Sequence, residues 1–335
     1  MLIDGYLGAT VGEAATRALE LEGNGYDGAF TAEGPHEPFL PLVMAAEHTT
    51  RLELMTNIAV AFARSPVDLA QLANDVQLAS RGRFILGVGS QIRPHIEKRF
   101  SMPWSSPARR MRELVLALKA IQDAWQNERA LDFRGEFYRH TLMTPFFSPG
   151  ANPFGPPPVY VAALGPRMTE VAAEVGDGLL IHPFHTGPFV VDLASAAVER
   201  GLARAGRARE NFTFSATVIV ATGADAAARA RARQRVRGLL GFYGSTPAYR
   251  VVLDAHGWGA LQSDLNALSK QGRWEDMSRS IPDEVYAAIV VDGAPGEIAG
   301  LIRDRYRGAV DRISFSMPYD LDASSMREMM AGFAH

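Results

Sequence analysis

Eight short apolar runs, most of them followed by a stretch of helical periodicity, set the strongest limit on what this chain can fold into. The runs cover residues 2–7, 26–31, 52–62, 83–89, 159–164, 178–181, 212–221 and 312–316. Strands that alternate with amphipathic helices build a parallel sheet, because each parallel connection needs a crossover that then covers the sheet. Eight such units within 335 residues predict an α/β fold, a (β/α)8 TIM barrel with insertions.

The alternation breaks twice, at residues 93–158 after the fourth strand and at 241–282 between the seventh and eighth. In the first break, Met111, Leu114, Val115, Leu118, Ile121 and Trp125 mark one side of a long helix. A small hairpin follows, with its turn at Gly135, and then residues 145–158 carry six prolines and two glycines. The second break is rich in Tyr and Trp. Long excursions from a barrel commonly cover its mouth, so Tyr243, Tyr249, Trp258 and Trp274 are candidates for an apolar lid, with packing alone an equal account of them. Periodic structure resumes after each break, and residues 1–335 are expected to form one domain.

A net charge of −3 and a charged fraction of 21% give no basic footprint for nucleic acid. The chain has no cysteine, which removes thiolate nucleophiles, disulfides and cysteine-bound metal together. No run of about 18 apolar residues occurs and no signal segment precedes the first strand, so the protein is expected to be cytoplasmic, away from membranes.

Residues 83–90, Arg-Phe-Ile-Leu-Gly-Val-Gly-Ser, read as a strand buried on both faces, with two glycines that permit a close backbone approach. A dinucleotide fingerprint needs a third glycine and an immediate helix, whereas Ser90-Gln-Ile-Arg-Pro94 follows here. Three further loops at strand ends bring polar groups to the same face of a barrel: 32–38 with Glu33 and His36, 162–167, and 181–185 with His182 and His185. The backbone at Ala163-Leu-Gly-Pro166 precedes a helix and suits either an anionic phosphate or a plain strand-to-helix turn. His182 and His185 have a spacing that permits a metal, but no H-E-x-x-H helix or carboxylate-rich site accompanies them, and no metal is expected.

Taken together, Gly25-Tyr-Asp-Gly28 with Glu33 and His36, Met55-Thr-Asn-Ile58 followed by Ser65-Pro66, the 83–89 strand, Pro158-Val-Tyr-Val-Ala-Ala163 and Gly176-Asp-Gly178 resemble the luciferase-like monooxygenase family. The resemblance spans nearly the whole chain and points to the deazaflavin-dependent branch, which uses coenzyme F420. It implies a barrel whose mouth holds the ring system of the cofactor, with a non-proline cis peptide at Asn57-Ile58 against the ring face. It further implies Gly87, Gly89 and Ser90 beside the ring, Ala163, Leu164 and Gly165 near the cofactor phosphate, and His182 in the cofactor or substrate wall.

By the same resemblance His36 lies close to the reactive carbon, and His36 and Glu33 are the catalytic candidates. The implied reaction is hydride transfer between F420 and a small organic substrate. Some sugar-phosphate dehydrogenases of the family have a glutamate after the fourth-strand glycines, where this chain has Gln91 and Ile92, so a sugar phosphate is not expected. Three alternatives stay open: an FMN-dependent monooxygenase on the same barrel, a non-catalytic flavin-binding protein, and an unrelated barrel hydrolase that uses His182 and His185 with a metal. Homodimers are common in the family, and a homodimer is an expectation here.

Overall fold

The computed structural model describes residues 1–8 and 10–333. Eight parallel strands close into a barrel: β1 (Leu2–Tyr6), β2 (Gly28–Thr31), β3 (Glu53–Thr56), β4 (Phe84–Gly89), β5 (Val159–Ala163), β6 (Gly178–Ile181), β7 (Thr213–Ala221) and β8 (Arg312–Ser316). Neighbours in sequence are neighbours in the sheet, and β8 completes the ring by pairing with both β7 and β1.

Helices form the outer layer, and their sequences explain their limits. Ser65 caps the helix Pro66–Ala79 by accepting the Asp68 N–H, and Leu69, Ala70, Ala73 and Val76 recur at the spacing that turns one face to the strands. The helix expected around residues 111–125 runs Pro107–Gln126 and buries all six of the apolar positions that marked it. Among the described residues no helix is long and apolar enough to cross a membrane.

The barrel interior has two characters. Side chains alternate across a strand, so Phe30, Met55, Ile85, Tyr160 and Leu180 point inward from β2 to β6 and form one apolar cluster. On the other side β7 and β8 pair hydroxyls, Thr217 with Ser314 at 2.9 Å. The strand N-terminal end is plugged by Arg312, which donates to Asp4 at 2.5 and 2.6 Å and to Glu53 at 2.5 Å. Burial alone would lower the guanidinium pKa, but Asp4 and Glu53 outweigh it and raise it, keeping the charge. Gly28 is required beside this group, since a Cβ there would lie 2.3 Å from the Asp4 carboxylate.

The third strand departs from the expected 52–62. It ends at Thr56, resumes for Ala59–Val60, and gives way to a 3₁₀ turn at Ala61–Ala63. Met55 pairs with Ile85 and Ala59 with Val88, so four steps along this strand face three along β4. The excess residue makes a bulge. Asn57-Ile58, within it, is a cis peptide.

The first excursion holds the expected hairpin, Phe133–Arg134 against Arg139–His140. The second is helical, with Arg250–Asp254, Gly259–Lys270 and Trp274–Arg279, and a helix at Asp283–Ile289 follows it. A short strand, Val291–Asp292, then adds to β7 and was not evident from the sequence pattern.

Candidate active site

The strand C-terminal ends gather the expected residues into one mouth, and each is placed by a neighbouring element. At β3 the bulge is bound on both sides: the Asn57 N–H donates to Thr31 O at 2.7 Å, and Ile58 O accepts the Glu33 N–H at 3.2 Å. The Ile58 side chain packs on the apolar cluster of the barrel interior.

Gly87 and Gly89 make this arrangement possible. A Cβ at Gly87 would lie 1.8 Å from Thr56 O and 2.8 Å from Leu180, and one at Gly89 would lie 2.9 Å from Ile58. The close approach that the two glycines permit is thus made by the chain itself. Thr56 completes it, donating its hydroxyl to Gly87 O at 2.7 Å and accepting the Gly87 N–H at 3.0 Å, in place of a ladder pair. Beyond the strand, Ser90 donates to Gln91 O, and Gln91 has a φ of +59°.

His36 is at an exposed point of the β2 loop, and no hydrogen bond to its ring is found among the described residues. Its neighbours are tightly held. Glu33, expected beside it as a catalytic group, has a side chain only 6% exposed, and one carboxylate oxygen accepts from both Val60 N–H and Arg64, each at 2.6 Å. Glu37 accepts from the Phe39 and Leu40 N–H groups at 2.7 and 3.0 Å, and Thr31 donates to Pro38 O at 2.7 Å.

Across the mouth, β5 ends at Ala163 and Leu164, both buried, and Gly165 begins the helix Pro166–Val175. No side chain caps that helix, whose first turn presents its backbone N–H groups and positive dipole end at the strand end. Next to it the His182 N–H donates to Ala163 O at 3.3 Å. Alternation from Leu180 directs His182 inward.

His182 is half-buried, with two rings of the second excursion packed against it. Its ring stacks on Tyr249 at 4.0 Å and meets Tyr243 edge-on at 4.7 Å. Burial, with His185 adding to it, lowers its pKa to about 3, so the ring is neutral. Its Nδ1 accepts the Phe184 N–H at 3.2 Å, which leaves the proton on Nε2. His185 is also neutral, its pKa lowered by burial to about 4; Nδ1 faces His182 O and Nε2 faces the Tyr306 hydroxyl, both at 2.7 Å. Both nitrogens of His185 are therefore engaged, and among the described residues no group of three or more His, Cys, Asp or Glu could share a metal.

Of the four aromatic lid candidates, Tyr243 and Tyr249 reach His182. Trp258 instead stacks on His256 at 4.5 Å, which bonds Thr186, and Trp274 is 56% exposed at the start of its own helix. Two residues that shape the site, Arg64 and Thr56, did not stand out in the sequence. An arginine directly after an apolar run, two residues before a helix-opening proline, was the available signal for the first.

Comparison with known proteins agrees with this architecture. An uncharacterized protein of Mycobacterium tuberculosis is 54% identical over 93% of this chain and 92% of its own length. The 5,10-methylenetetrahydromethanopterin reductase of Archaeoglobus fulgidus is 27% identical over 84% of this chain and 81% of its own. Among solved structures, the coenzyme F420 dependent tetrahydromethanopterin reductase from Methanopyrus kandleri superposes with a TM-score of 0.78 at 18% identity, covering 98% of this chain and 96% of that one. Residues 3–312 match the luciferase-like monooxygenase family, and the chain belongs to that family.

Proposed function

We propose that this protein is an oxidoreductase that binds coenzyme F420 in the barrel mouth and transfers hydride between it and a small organic substrate. The similarity to an F420-dependent reductase supports the class of reaction. The observation that carries the assignment of roles is the difference between the two mouth histidines, one exposed and unbonded, the other neutral and half-buried against two tyrosine rings.

The residues fit a flat, largely apolar ring with a phosphate-bearing tail. Ile58, with Phe30 and Leu180 below, gives an apolar surface, and the uncapped helix start after Gly165 offers backbone N–H groups to an anion. Asn57, Gly87, Gly89 and Ser90 would line the ring side, and Ala163, Leu164 and Gly165 the tail. The cofactor supplies the hydride chemistry when bound.

The chain's own groups do the rest. His36 has a ring free to accept or return the proton that accompanies hydride transfer. His182, neutral with its proton on Nε2, keeps an uncharged donor for a bound molecule, and Tyr249 and Tyr243 pack against that side of it. Glu33 acts through the loop that carries His36, because its carboxylate is taken up by Val60 and Arg64.

Titrating the apoprotein with F420 and separately with FMN, and following fluorescence, tests the reading. Quenching with F420 alone is the expected result. Quenching with FMN alone would move the assignment to an FMN-dependent monooxygenase of the same family, and quenching with neither would overturn it.

A further inference from the structure

The β3 bulge and the His36 loop leave the barrel on neighbouring strands, and one guanidinium binds both. Arg64 Nη1 donates to Glu33 Oε2 at 2.6 Å and lies 3.3 Å from Val60 O, while Nη2 donates to Glu37 Oε1 at 3.4 Å. Glu33 precedes His36 and Glu37 follows it, so the two prongs grip the loop on either side of the histidine. The same Glu33 oxygen takes the Val60 N–H, and the Glu33 N–H reaches Ile58 O, which ties the grip to the bulge. Arg99 donates to Gly34 O as a further tether.

We propose that Arg64 is a positioning residue that locks the ring-facing bulge and the His36 loop into one unit. This rests on the reading of His36 as the proton-transfer group. Within the loop the bonded groups belong to Thr31, Glu33, Gly34, Glu37 and Pro38, and Pro35 and His36 at its tip find no hydrogen bond among the described residues. A short loop fixed on both sides of its tip holds that tip in one place without touching it.

The chemistry favours arginine in this position. Its planar fork presents two donors at a fixed angle to two carboxylates, which a lysine ammonium on a flexible stem does not reproduce. Arg64 and Glu33 side chains are 14% and 6% exposed, so the inner prong is shielded from solvent and from salt. Loss of the guanidinium also leaves a largely buried carboxylate without its counter-charge, and Glu33 would release Val60 or take in water.

Hydrogen exchange on the full-length apoprotein, comparing wild type with Arg64→Gln, Arg64→Lys and Glu37→Gln, tests this directly. In Arg64→Gln the amides of Glu33, Asn57, Val60 and Phe39 are expected to lose protection together, by about tenfold or more, with β6 to β8 unchanged. Arg64→Lys should restore protection around Val60 but only part of it at Phe39, and Glu37→Gln should loosen the loop while leaving the bulge intact. F420 affinity should fall about tenfold in Arg64→Gln and recover in part in Arg64→Lys, a rescue that a role in bulk stability would not give.

Loosening of only one segment, or of neither, in folded Arg64→Gln would overturn the proposal. If that variant does not fold, unchanged exchange of the loop in Glu37→Gln would overturn it instead. The exchange comparison needs no cofactor, so failure of wild type to bind F420 would sink the cofactor reading separately and leave the role of Arg64 decided by exchange alone.

Discussion

The two sides of the mouth are held by opposite means. On the β2–β4 side, charged groups do the holding, with Arg64 between Glu33 and Glu37, and the histidine they carry is left exposed. On the β6 side, two neutral histidines and the rings of Tyr243, Tyr249 and Tyr306 interlock, and His182 is half-buried while His185 is buried. Ion pairs fix a position yet leave a neighbouring ring open to water, whereas packing among aromatic rings disfavours ionisation. In the proposed reaction one side moves a proton and the other stays uncharged while it does.

The largest effect is expected where the charged side meets the strand ladder. Gly87→Ala places a methyl 1.8 Å from a backbone oxygen that cannot swing aside, and it should cost about 3 kcal/mol or more in urea unfolding. F420 binding should be lost with it. An alanine accepted there at little cost would mean that the bulge is not fixed by β4.

The next effect belongs to the neutral side and depends on pH. His185 has a folded pKa of about 4 against 6.5 when unfolded, so below pH 6.5 the unfolded chain takes up the proton first. Stability contributed by the neutral ring is complete above pH 6.5 and is lost as pH falls towards 4, with a slope of up to about 1.4 kcal/mol per pH unit. His182 acts in the same direction over a range that reaches about pH 3. His185→Gln should therefore lower stability at pH 7, where the Tyr306 contact is lost, and flatten its fall between pH 6 and 4 (roughly the window set by the two values). An unchanged slope would show that His185 ionises in the folded protein.

The smallest effect distinguishes the two glycine roles. A Cβ at Gly165 meets nothing within 4 Å, and Gly165→Ala should cost under about 1 kcal/mol. A cost near that of Gly87→Ala would place close packing at the helix start, where the structure shows open space.

Much of this was legible in the sequence because it is local. Strand and helix periods, the prolines at helix starts and the turn at Gly135 each act within a few residues, and the eightfold alternation followed from them. The end of the third strand was not legible. Residues 58–62 are as apolar as a strand, and only the register against β4 and the turn at Ala61–Ala63 show that the run bulges and then turns.

The site divides along the same line. Glu33, His36 and His182 stand out as polar residues at strand ends. Their roles do not, since Glu33 is committed by Arg64, 31 residues later, and His182 by Tyr249, which arrives from the second excursion. A carboxylate beside a histidine reads the same in sequence whether it faces a substrate or an arginine. Only the fold decides which.

A crystal structure of the protein with F420 bound would decide where the cofactor lies and which histidine serves it. The expected result is the ring system against Ile58 on the β2–β6 side of the mouth, His36 facing it, and a phosphate at the N–H groups that follow Gly165. A ring seated instead among the hydroxyls of β7 and β8, with His36 turned away from it, would contradict the proposed division of roles.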